Sequence, residues 1–140
     1  MNRETIYSAL FDRLKDIPGI VTASRRLRHW SDVGQGDQPA LFQAQKTQTA
    51  VQQTGTSGKW LLPADLYLYV QNQSADGPSA ALNTLIDAVE AALAPDNPIK
   101  NTNTLGGLVE YCRIEGVIET DEGTLGDQAV AIVPVVILTT

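Results

Sequence analysis

The chain has 140 residues, 43% apolar and 19% charged, with a net charge of −6, the make-up of one soluble domain large enough to bury its own core. A single cysteine and a single histidine exclude an internal disulfide framework and a structural zinc site of Cys/His ligands. The acidic balance argues against holding nucleic acid by phosphate neutralisation, and no apolar run reaches the roughly 18 residues of a membrane span, so a reducing aqueous compartment with no membrane partner is expected.

Ile6, Leu10, Leu14 and Ile17 recur at helical spacing and predict a helix over 5–17, stopped by Pro18 and Gly19. Residues 20–30 read as a strand, with β-branched residues leading and Arg26 and Arg28 alternating against Leu27 and His29. A Gly/Pro loop precedes a strand over 40–47, in which Phe42 and Ala44 face opposite to Leu41 and Gln43. Residues 45–58 hold four Gln and four Thr with only Ala50 and Val51 apolar, and read as a polar arm that orders against a neighbour. The strand over 59–71 alternates most regularly, with Leu62, Ala64, Leu66, Leu68 and Val70 on one side and Asp65, Tyr67 and Tyr69 on the other. Pro63 marks a bulge or an edge position near its start.

Asp76, Gly77, Pro78 and Ser79 open a helix carried by Leu82, Leu85, Ile86, Val89 and Leu93 and ended by Pro95. A polar loop over 96–104 leads through Gly106 and Gly107 into a strand over 108–119, an acidic turn over 121–126 and a last strand over 128–138. This order predicts an α+β domain spanning 1–140: a mixed or mainly antiparallel sheet covered on one face by two amphipathic helices. Leu10, Leu14, Leu66, Leu68, Leu82, Ile86 and Val89 form the predicted core.

The chemistry is sparse. His29 sits between Arg28 and Trp30 in the predicted strand and reads as a packed ring, and Cys112 in mid-strand as a small apolar residue. No glycine-rich loop has dinucleotide or P-loop spacing, and the acids near 119–127 do not follow an EF-hand, so no catalytic residue, cofactor or metal is assigned. What remains is a basic cluster, Arg25, Arg26 and Arg28, able to pair with carboxylates, the polar arm, a nearly continuous apolar end over 129–138, and segregated charge. Residues 1–60 carry eight Lys/Arg against five Asp/Glu, and residues 61–140 two against eleven. Such features fit a self-assembling or docking module better than an enzyme.

The succession Pro39-Ala40-Leu41-Phe42, Lys59-Trp60 with Leu66-Tyr67-Leu68-Tyr69-Val70, Leu82-Asn83 with Leu85-Ile86-Asp87-Ala88-Val89, Thr104-Leu105-Gly106-Gly107-Leu108-Val109, Cys112-Arg113-Ile114-Glu115-Gly116 and Val133-Pro134-Val135-Val136-Ile137-Leu138 resembles the tail terminator (tail completion) proteins of tailed bacteriophages and prophages, the group related to minor tail protein U. The resemblance spans nearly the whole chain. It implies a structural virion protein, assembled in the host cytoplasm, that forms a homo-oligomeric ring of six copies on the head-proximal end of the tail tube. There it ends tube polymerisation and docks the head-tail connector protein, while DNA passes through without specific binding. Arg25, Arg26, Arg28, Lys46, Gln48, Gln52 and Gln53 are then the expected contacts with a neighbouring subunit or the tail tube protein. Glu119, Asp121, Glu122 and Asp127 are expected to face the channel, where acidic walls repel the duplex. Two alternatives stand beside this reading: a head completion or neck protein on the portal side, and a small ligand-binding or enzymatic domain, which requires a pocket with convergent polar groups.

Overall fold

The computed structural model describes residues 1–52, 54–55, 58–71, 78–122 and 127–140. Helix α1 (Arg3–Leu14) starts where the Asn2 side chain accepts a hydrogen bond from the Thr5 N–H, satisfying one of the orphan donors of the first turn. Glu4 in its first turn and Arg13 in its last oppose the helix dipole. The chain then turns at Pro18, leaving Ile17 buried just beyond the helix.

Strand β1 (Thr22–Ser24) is far shorter than the strand predicted over 20–30. From Arg25 onward the chain bends away through two single-turn 3-10 helices, Trp30–Asp32 and Gln35–Asp37. Local side-chain bonds win over the ladder: His29 Nδ1 accepts from the Ser31 N–H, and Arg28 donates to the Asp32 carbonyl at 2.7 Å. His29 therefore caps a turn and lies against Trp30, with ring centroids 5.2 Å apart, instead of occupying a strand.

Strands β2 (Ala40–Gln45), β3 (Thr49–Val51) and β4 (Lys59–Gln71) follow, then helix α2 (Ser79–Ala92), β5 (Tyr111–Ile114), β6 (Glu119–Asp121) and β7 (Gln128–Thr139). The sheet runs β1-β2-β4-β7-β5, with β3 also on β4 and β6 also on β7. Only β1 and β2 pair in parallel among the described strands, so the sheet is mixed. The polar arm thus contains a strand, and the strand predicted over 108–119 is two strands with a break between them.

Both departures share one cause. β2 and β3 line the same side of β4, three residues (46–48) spanning what two residues of β4 span, which is a bulge. Pro63 lies opposite, and its carbonyl accepts from the Lys46 N–H at 3.1 Å. A residue's N–H and C=O point to the same side of a strand, so the missing N–H of Pro63 also falls at this bulge and the central β4·β7 ladder loses nothing. Pro134 repeats the arrangement on the other side: its carbonyl accepts from the Glu115 N–H at 3.1 Å, and residues 115–118 loop out between β5 and β6. Gly116, at φ +119°, makes that loop-out, and a Cβ there would meet the Pro134 ring at 3.2 Å.

Both helices pack on one sheet face, as predicted. Tyr7, Leu10 and Leu14 of α1 and Leu82, Leu85 and Val89 of α2 share a core with Leu62, Leu66 and Leu68 of β4 and Ala131, Val133, Val135 and Ile137 of β7. Ile86 is only partly buried at the rim of this core, because α2 rotates Leu82, Leu85 and Val89 inward and leaves the Ile86 side half open. Gln43 is the unexpected core residue, 2% exposed, with its amide donating to the Tyr7 carbonyl at 3.0 Å.

The loop after α2 is braced by Asp96, which accepts from the Thr104 N–H (2.7 Å), the Thr104 hydroxyl (2.8 Å) and the Gly106 N–H (3.1 Å), and pairs with Arg13 at 3.2 Å. These bonds, the Gly106 and Thr104 amides foremost, lower its pKa from 3.8 to about 2. A depressed carboxylate pKa stabilises the fold above the unfolded value and ceases to do so as pH falls through the folded one. Stability is therefore expected to decline between pH 3.8 and about 2, and Asp96→Asn to flatten that part of the stability–pH profile; an unchanged profile in acid unfolding would reject the brace.

Candidate functional site: the uncovered sheet face

Strand β7 is apolar on both sides. Its inward residues are fully buried beneath the helices, and the alternate set, Val130, Ile132, Pro134, Val136 and Leu138, points the other way and is half-buried. Register places Leu61, Pro63, Asp65, Tyr67 and Tyr69 of β4 beside them, Tyr111 and Arg113 of β5 next to Leu138 and Val136, and Glu119 and Asp121 of β6 next to Ile132 and Val130. An antiparallel sheet with one solvated face ordinarily alternates apolar-in and polar-out; this one does not along β7. Residues 25–39 cover one corner, where Trp30 and Val33 pack on Ala40, Phe42 and Tyr69, and neither helix covers the remainder.

Two depressions mark the face. A cleft of about 460 Å³ at the covered corner is walled by Leu27, Trp30, Tyr67, Tyr69, Val130 and Ile132, with Arg28 and Asp121 at its rim. A smaller trough of about 300 Å³ crosses the middle over Ile132 and Pro134, with Lys46 and Asp65 at one side and Glu115 and Glu119 at the other. A larger cavity, about 610 Å³, lies elsewhere, between the end of α2 and β5, beside Asp87, Glu90 and Arg113. Cys112 lines it, but burial pushes its thiol up to about 12, so it stays protonated and is no nucleophile at neutral pH.

The residues singled out from sequence fall at both edges. Arg25 is held within the chain by both oxygens of Glu4 and by the Ser8 hydroxyl, and Arg28 by Asp37 and the Asp32 carbonyl. Arg26 is exposed and makes no ion pair among the described residues. Lys46 pairs with Asp65 at 3.5 Å, and Gln48 accepts from Arg3 at 2.6 Å. Gln52 packs against Gly58, and Gln53 lies outside the described residues. The structure thus ties the early part of the polar arm to β4 and α1. Among the acids, Glu119, Glu122 and Asp127 are exposed and Asp121 half-buried at the cleft.

No protein-family model matches the chain, and no curated protein matches it. Among the described residues no helix is long and apolar enough to cross a membrane. The uncovered face is only half legible in the sequence: the apolar run over 129–138 signals a strand apolar on both sides, but not that, among the described residues, neither helix lies over its second side.

Proposed function

We propose that this protein is a structural assembly subunit, a tail terminator of a tailed phage or prophage, which forms a ring on the head-proximal end of the tail tube, stops tube growth and presents a docking surface to the head-tail connector. The observation that carries the reading is the uncovered apolar face along β7. A contiguous, half-buried apolar strip that neither helix covers is the kind of patch that marks an interaction surface, and it extends along the whole of β7 rather than ending in one enclosed pocket with convergent polar groups. The resemblance in residue order names the kind of assembly. A closed ring needs two different complementary surfaces on each subunit, and the segregation of basic and acidic residues between the two parts of the chain supports such a division.

Electron microscopy of particles assembled without this protein tests the reading. Overlong, headless tails are expected; free tails of normal length would instead place the protein at the neck.

A further inference from the structure

Two short edge strands end the sheet in the same row. Thr22 of β1 is in line with Ala40, Tyr69, Val130 and Asp121, and Ser24 with Phe42, Tyr67, Ile132 and Glu119. β1 and β6 are thus the opposite ends of one five-strand row, with no offset along the strand direction. β1 runs parallel to β2, and the three antiparallel steps through β4 and β7 leave β6 running opposite to β1. A second copy placed edge to edge meets its neighbour in antiparallel register.

The charges fit the same placement. Arg26, two residues past Ser24, is exposed and without an ion pair among the described residues, and Glu119 and Glu122 on the other edge are likewise exposed and without one. An antiparallel junction that puts Ser24 opposite Glu119 brings the bend after β1, where Arg26 sits, to the same end of the junction as Glu119. Exposed apolar residues flank both ends as well, Val21 and Leu27 at β1 and Val117 at β6.

We propose that the β6 edge of one subunit adds to the β1 edge of the next, pairing Glu119 with Arg26, so that the sheet continues from copy to copy. The occupant of each edge is a second copy of this chain. The inference rests on the ring reading above and assigns Glu119 to a subunit junction rather than to a channel wall. Strand addition joins two sheet edges through backbone hydrogen bonds, and the charge pair sets direction, because it forms head to tail and not between two like edges.

The test is self-association of the purified full-length protein, followed by analytical ultracentrifugation, for wild type, Arg26→Glu, Glu119→Arg and the double variant. Each single change is expected to weaken association at least about tenfold by placing like charges together, and the double to restore it. Additive losses in the double overturn the pairing, as does a wild-type protein that stays monomeric at every concentration. If Glu119 only guards the edge against stray strands, Glu119→Gln will raise association, which also overturns it. Restored association combined with normal tail length in particles lacking the protein keeps the junction and rejects the terminator reading; the converse pair of results does the reverse.

Discussion

Replacing Leu66 with alanine is expected to lower the free energy of unfolding by about 2–5 kcal/mol. Leu66 is fully buried at the centre of β4, paired with Gln43 on one side and Val133 on the other, and it faces the helices. Neither neighbouring strand can shift to fill the space, since both are fixed by long ladders, so lost contacts and a residual cavity add together. Denaturant titration with an unchanged slope would measure it. Ile86→Ala, at the rim of the same core, should cost less, and a Leu66 loss below about 0.5 kcal/mol would deny the shared core.

Val136→Lys is expected to leave the isolated fold within about 1 kcal/mol of the parent, since a lysine stem can lie along a half-buried sheet face with its ammonium in water, yet, on the proposed function, to abolish tail termination. Val136 stands between Pro63 and Arg113 on the uncovered face. A charge brought there cannot be matched once a partner excludes water. Circular dichroism and denaturant unfolding check the first half, and complementation of particles lacking the protein checks the second. A variant that folds and still ends tails at normal length would remove this face from the assembly.

What sequence alone disclosed follows from how far each pattern extends. β4 and α2 are long enough for periods of two and 3.6 to declare themselves, and their bounds, Lys59–Gln71 and Ser79–Ala92, agree closely with expectation. Short elements have no such signal. β1 and β6 are three residues each, and the alternation over 25–30 imitated a strand that side-chain bonds to the backbone in fact dismantle. Pro63 correctly announced a bulge, whereas Pro134, embedded in an apolar run, concealed that it breaks the strand beside it. Gln43 shares a side with Leu41, as its place in the strand predicts, but nothing in the sequence marks that side as buried there, and the Tyr7 carbonyl from α1 accepts its amide hydrogen in the core. Of the residues nominated for contacts, Arg25 and Arg28 prove to be held by neighbours within the chain, whereas Arg26 makes no ion pair among the described residues.

The two prolines facing the edge bulges have a consequence for the timing of assembly. Because each side of the sheet is cut into pieces of a few residues, no passing strand can grip a long stretch of it, and one junction alone is too short to hold two copies firmly. A chain of such junctions becomes durable only when the last one closes, since every subunit is then retained by two neighbours at once and the effective concentration of each contact rises steeply. Stray copies in solution would exchange quickly, while a completed circle would persist. A template that gathers several copies, the tube end on the proposed function, would therefore decide where closure happens.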